Sequence, residues 1–159
     1  MRFLMSRIEV VRLDALLAGS STDGIAREKA FEEDLVLVSR SRIAPGVVSD
    51  WHHHGRRRLF GILLAGRLRL EYGPHGSKAV DLEAGDFFRI PVGLVHRDVN
   101  LDPEREALVA AFLYGEGVAT VNVGGPEGRF PETPSVFRLR TRRGTKDPHN
   151  LLDQRNSIR

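Results

Sequence analysis

The sequence predicts an all-β fold, an antiparallel sandwich or barrel, and three observations carry that expectation. From Leu35 to Tyr114 the chain runs through short apolar or alternating segments, LVLVSRSRI, LFGILL, RLRLEY, AVDL, DFFRI, LVHRDVN and ALVAAFLY, and segments of this kind read as strands. Turn formers separate them, among them Ala44-Pro45-Gly46, Ala65-Gly66 and the run Gly73-Pro74-His75-Gly76-Ser77-Lys78, where glycine and proline set the backbone angles that turns need. Little helical pattern lies between the segments, which argues against a parallel α/β design. No self-similar period of roughly 20–50 residues is present, so solenoids and propellers are excluded.

Taken in order, residues 1–34 read as an N-terminal extension. IEVV at 8–11 is a candidate edge strand, and Ile25 to Asp34 has good helix formers with only a weak apolar stripe. In LVLVSRSRI, Leu35, Leu37, Ser39, Ser41 and Ile43 share one face, and Val36, Val38, Arg40 and Arg42 share the other. LFGILL and RLRLEY read as a hairpin across Ala65-Gly66, with Leu68 and Leu70 opposite Arg67, Arg69 and Glu71. Phe60, Tyr72, Phe87, Phe88 and Phe112 are expected to fill the barrel, because aromatic rings contribute so much area to cores. A last strand, ATVNV, ends at Gly124-Gly125-Pro126. The barrel domain is therefore expected over 35–123, with a basic tail or arm over 124–159.

Composition narrows the chemistry. The 159 residues are 41% hydrophobic and 28% charged, which suits one soluble domain, and there is no cysteine. Disulfides, thiolate zinc sites, iron–sulfur clusters and thiol nucleophiles are thereby excluded, and any soft-metal chemistry must use histidine. No apolar run approaches the roughly 18 residues of a membrane span, and MRFLMSRIEVVR holds no apolar stretch of signal-peptide length, so a cytoplasmic protein is expected. Residues 129–159 hold eight basic and three acidic residues, whereas 1–128 hold sixteen and eighteen. Basicity thus belongs to the C-terminal segment around Arg138 to Lys146. No aromatic platform or groove-reading motif accompanies it, so a solvated tail is favoured over nucleic-acid binding.

The densest chemical signal is Trp51-His52-His53-His54, directly after the Pro45-Gly46 turn. In an extended segment His52 and His54 share a face and His53 opposes them, so the pair offers two ligands to a divalent ion. A third imidazole must come from another strand, and His96 is placed to supply it; the alternative is a polar surface turn plus a hydrogen-bonded strand histidine. These residues resemble the cupin family. The first cupin motif, G-x5-H-x-H-x3-4-E-x6-G, is met by Gly46, His52, His54 and Gly66; the second, G-x5-P-x-G-x2-H-x3-N, is met at every position by Gly85, Pro91, Gly93, His96 and Asn100. The resemblance covers residues 35 to about 123 and implies a double-stranded β-helix, or jelly-roll, barrel with its site inside one mouth.

The resemblance implies His52, His54 and His96 as metal ligands. The glutamate of the first motif is missing: its slot falls on Leu59, or on Arg58 with the shorter spacing, and neither donates a lone pair. The remaining shell is three neutral imidazoles and water, unless Glu71 or His75 fills in, and that set suits Fe(II) or zinc, with nickel or copper as alternatives, better than manganese. Of the run Arg56-Arg57-Arg58, which reads first as a solvated loop, Arg58 is the candidate contact for an anionic substrate, and Trp51 is a second candidate for lining the pocket. Three functional readings follow: a metal-dependent, dioxygenase-like oxidoreductase acting on a small organic anion; a non-catalytic ligand-binding or sensing barrel; and a metal-free isomerase with a histidine base, for which Asp98 is the one local acidic partner. A homodimer is the expected assembly.

Overall fold

Side chains alternate across a strand, so the parity of each segment decides which residues enter the core. The computed structural model describes residues 7–128, and the basic cluster Arg138 to Lys146 lies outside the described residues. Among them are eleven strands: β1 (Leu17–Ala18), β2 (Ile25–Glu33), β3 (Val36–Ile43), β4 (His52–His53), β5 (Arg58–Ala65), β6 (Arg67–Tyr72), β7 (Lys78–Glu83), β8 (Phe87–Ile90), β9 (His96–Asn100), β10 (Ala107–Tyr114) and β11 (Val121–Asn122). They form two antiparallel sheets, β1-β2-β3-β10-β5-β8 and β11-β4-β9-β6-β7. The fold is an all-β jelly roll. Its inner faces enclose an apolar core of Ile25, Leu37, Ile43, Leu59, Leu63, Leu68, Leu70, Leu82, Ile90, Val109 and Leu113, among others. No helix of the described residues is long and apolar enough to cross a membrane.

Four local expectations change. Residues 25–33, whose composition allowed a helix, form β2, which pairs along its length with β3 and places Ile25 in the core. Tertiary pairing outweighs helix propensity there. IEVV forms no strand; Ile8 and Val10 are exposed, and the edge strand is instead Leu17–Ala18, opposite Lys29 and Glu28. LFGILL and RLRLEY do not make a hairpin. β5 pairs with β10 and β8, whereas β6 pairs with β7 and β9 in the other sheet. Gly66 turns the chain between sheets at φ +85°, against the backbone of Ala107 and Glu106, where a Cβ would meet both at 3.0 Å.

The fourth correction concerns the aromatics. Phe88 does pack on the core, its ring seated over Gly61 where a Cβ would lie 2.4 Å from it, and Tyr72 is half-buried. Phe60, Phe87 and Phe112 are exposed, at 43%, 79% and 43%. Parity is the reason: Leu59, Ala111, Leu113 and Phe88 take the inward positions of β5, β10 and β8, which turns their neighbours outward.

Asn100 holds a corner of the barrel. Its amide donates to the carbonyls of Ile43 (3.1 Å), Ala44 (3.0 Å) and Arg105 (2.7 Å), and its oxygen accepts from the Asp102 N–H at 3.0 Å. Because Asn100 is buried, truncation leaves carbonyls without donors. Asn100→Ala is expected to lower the unfolding free energy by about 2–4 kcal/mol, to be read from the midpoint of urea denaturation.

Candidate metal centre

The site is built by two short strands. β4 contributes His52 and ends one residue before His54, and its pairing with β9 sets His52 directly opposite His96. Opposed residues of paired strands project to the same side, so the register alone brings the third imidazole beside the first. Ring centroids stand 4.3 Å apart for His52–His96, 5.1 Å for His54–His96 and 5.6 Å for His52–His54. One ligand nitrogen from each lies within 4.8 Å of the others, and all three residues are buried. His53 faces the other way and accepts the Gly55 N–H on Nδ1 at 3.0 Å.

Hydrogen bonding fixes what each ring presents. Nδ1–H of His52 donates to the Asp50 carbonyl (3.0 Å), that of His54 to Ala119 (2.8 Å), and that of His96 to Leu94 (3.0 Å). With the proton held on Nδ1, Nε2 keeps its lone pair, and a carbonyl behind each ring orients it as in known histidine metal sites. Burial disfavours the charged form of all three: the pKa of His54 falls to about 3, and those of His52 and His96 are also lowered, with mutual repulsion adding to desolvation at His52 and His54. Neutral, oriented imidazoles fit a divalent ion such as zinc or iron(II).

The rest of the wall is mostly apolar. The histidines open on a small cavity of about 30 Å³, also lined by Leu59, Leu70, Phe88, Arg27 and Asp98 among others. Of the two positions that could have carried a carboxylate ligand, Leu59 points inward and Arg58 is exposed. Glu71 is bound to Arg97 at 2.7 Å and His75 lies at the surface beside Glu127, so neither completes the shell. Trp51 packs beneath Gly76 and Arg97, whose guanidinium sits 4.7 Å from the ring centroid. Neither Trp51 nor Arg58 lines the histidine cavity or the larger one that adjoins it. Within the arginine run, Arg56 and Arg58 face solvent, but Arg57 is buried and donates from Nε to the Gly117 carbonyl at 2.8 Å. Besides Asp98 and Ser41, the polar residue that reaches the histidines is Arg27, on β2; its signal in the sequence was the alternation Ile25, Arg27, Lys29, legible only once that segment is read as a strand.

Residues 39–114 match the cupin domain family, Cupin_2. That stretch of the barrel is similar to a cupin domain. Solved structures share the fold at low identity. Peruvianin-I, a cysteine peptidase from Thevetia peruviana latex, is 23% identical over 57% of this chain and 57% of its own, with a TM-score of 0.50. Bacillus subtilis oxalate decarboxylase, in a structure concerned with its Mn(II) centres, is 16% identical over 67% of this chain and 30% of its own, with a TM-score of 0.57. An oxalate decarboxylase structure addressing its substrate-binding mode is 16% identical over 63% of this chain and 28% of that one, at a TM-score of 0.55. The chain thus spans little more than half of the first and under a third of the others, and the likeness is one of fold. No curated protein matches the sequence.

Buried neutral histidines make the barrel acid-sensitive. The unfolded chain protonates them near the ordinary pKa of 6.5, whereas the folded chain resists until well below it. Below pH 6.5 the unfolded state therefore binds more protons, and stability falls by up to about 1.4 kcal/mol per pH unit for each such histidine. Buried His53 adds to the same effect, and Asp98, whose pKa burial raises, opposes it with one proton against four. Denaturation of metal-free protein from pH 7.5 to 5 should show a plateau above 7 and a steep decline below 6.5, much flattened in a His52→Gln/His54→Gln/His96→Gln variant.

Proposed function

We propose that this cupin domain binds one divalent metal ion through Nε2 of His52, His54 and His96 and acts as a metal-dependent oxidoreductase of the dioxygenase type on a small organic anion. The observation that carries the reading is the convergence of three lone pairs in a buried cavity, with every Nδ1 tied to a backbone carbonyl. An apolar core alone has no use for three desolvated imidazoles; each costs free energy that a bound cation offsets. Iron(II) or zinc fits the all-nitrogen donor set, with nickel or copper as alternatives. When bound, such an ion supplies Lewis-acid chemistry or, for iron, one-electron chemistry with dioxygen. The protein contributes orientation of the donors and exclusion of water by Leu59, Leu70 and Phe88.

One observation favours a second reading. Leu59 stands where the family motif carries a glutamate, so the site lacks a carboxylate that would hold a hard cation. A barrel that binds a small ligand without turning it over is consistent with that loss.

Assembly belongs to the same proposal. Phe60, Phe87 and Phe112 form one outward apolar patch beside Arg89 on the six-stranded sheet. Monomers seldom leave such patches open, and a flat sheet face can meet its own copy about a twofold axis. A second copy of this chain is the proposed occupant.

Two outcomes are expected. Mass-spectrometric metal analysis of untagged protein should find about one equivalent of iron, zinc, nickel or copper per chain, absent from a His52→Ala/His96→Ala variant, and Leu59→Glu should tighten metal by about tenfold or more. Protein that takes up no metal on reconstitution would overturn the reading. Light scattering on a sizing column should give a dimer that Phe87→Asp/Phe112→Asp converts to monomer; a monomeric wild type would rule out the patch as a self-interface.

A further inference from the structure

The inner face of β2 and β3 is polar where a barrel core would be apolar. Arg27 stands opposite Ser41 and Lys29 opposite Ser39, so all four share the face that carries buried Ile25 and Ile43. Together they line a cavity of about 250 Å³, which also includes His54, Leu59, Ala111 and Thr120. Arg27, Ser41, His54, Leu59 and Ala111 line the small histidine cavity as well. The two spaces therefore meet at Arg27 and His54. The larger one falls just below the roughly 300–1,000 Å³ typical of drug-sized sites, a volume for a small acid rather than a nucleotide.

Arg27 is incompletely used by the fold. Its hydrogen bonds leave from Nη1 alone, to Thr22 Oγ1 at 2.8 Å and the Ser20 carbonyl at 3.3 Å, which leaves Nε–H and both Nη2 protons for another partner. Among the described residues no carboxylate pairs with it at ion-pair distance; Asp98, across the histidine cavity, acts on it only through the longer-range field. At the mouth Lys29 is already neutralised by Glu32 at 2.7 Å. Thr120 supplies an independent sign: its Oγ1 is buried without a hydrogen-bond partner, and Thr120 lines the same cavity. A buried hydroxyl without a partner is costly, and a small anion held on the unused edge of half-buried Arg27 would satisfy Thr120 as well. Arg27 also lies outside the span that matches the cupin family, 39–114.

We propose that Arg27 is the anchor for the carboxylate of a small organic acid, held by its free guanidinium edge with Thr120 and Ser41 beside it, so that the acid's other end faces His52, His54 and His96. The inference rests on the metal-site reading for what that other end meets, but the anion site itself needs only Arg27. With a divalent ion on the histidines, the joined cavity would hold three positive charges against at most one negative from Asp98, and the ligand it takes is an anion. Planar two-point pairing selects a carboxylate, which an ammonium in place of the guanidinium cannot reproduce.

Calorimetric titration of zinc-loaded and of chelator-treated protein with lactate, malonate and glutarate, with lactamide as the neutral control, tests this. At least one acid should bind zinc-loaded wild type while lactamide does not. Arg27→Met should weaken that acid tenfold or more with metal content unchanged, and Arg27→Lys should recover only part. Ser41→Leu leaves Arg27 in place and fills the cavity, so it should also abolish binding; it decides the matter if Arg27→Met does not fold. Failure of all three acids to bind, equal binding by Arg27→Met, or loss of metal together with the acid in that variant would each overturn the proposal. Arg27-dependent binding that persists in wild type unable to hold metal would uphold the anion site and overturn only the metal reading.

Discussion

Placing three imidazoles in the interior of an apolar barrel is the constraint to which the surrounding structure answers. A buried histidine must either be neutral with its N–H satisfied or be charged and paired, and here each Nδ1–H finds a carbonyl from a different stretch of chain: Asp50 before β4, Ala119 before β11, and Leu94 before β9. Those carbonyls are free because they lie just outside the ladders. β4 is only two residues long, which leaves Asp50 outside its ladder and able to supply the first of them. The short strand is thus part of the site's construction, and the one register pair between His52 and His96 joins the two halves of the ligand set.

The frame around that pair is held by backbone accounting at the corners. Gly46, Gly85 and Gly93 all take positive φ, the conformation in which a side chain is strained, and Asn100 gathers three carbonyls where β9 leaves the sheet. Ser49 bridges the same strands: its N–H donates to the Asp98 carbonyl and its Oγ accepts the Asp98 N–H, both at 2.9 Å. These contacts fix β9 against the segment that leads into β4. The distance between His52 and His96 is therefore set by paired strands, which suits a preorganised site.

Much of this was legible from spacing. His52, His54, His96, Gly85, Pro91, Gly93 and Asn100 stand at fixed intervals, and intervals survive in a sequence whatever the tertiary detail. The inward parity of LVLVSRSRI and RLRLEY was equally plain, since alternation is a local property. What escaped was non-local. Whether β5 and β6 pair with each other or part into the two sheets depends on partners 24 to 56 residues away, β10 and β9, and Ala65-Gly66 is compatible with either. Residues 25–33 carry Ala, Arg, Glu and Lys, good helix formers, and become a strand because β3 offers them a complete ladder. The outward aromatics show the same limit: composition says that Phe60, Phe87 and Phe112 are large and apolar, but only register says which face they occupy.

The charge logic of the cavity depends on β2. With a glutamate at position 59, a metal site would carry part of its counter-charge within the protein; Leu59 removes it. Arg27, entering from β2, changes the balance in the same direction, because it adds a cation where an anion has been lost. Asp98 offers at most one compensating charge, and burial resists even that ionisation. A protein that merely tolerated histidines in its core would gain nothing from a guanidinium beside them, since neutral imidazoles give a cation no counter-charge. The combination becomes consistent if the negative charge arrives with the ligand: an anion that offset the ion proposed on His52, His54 and His96 would also offset Arg27.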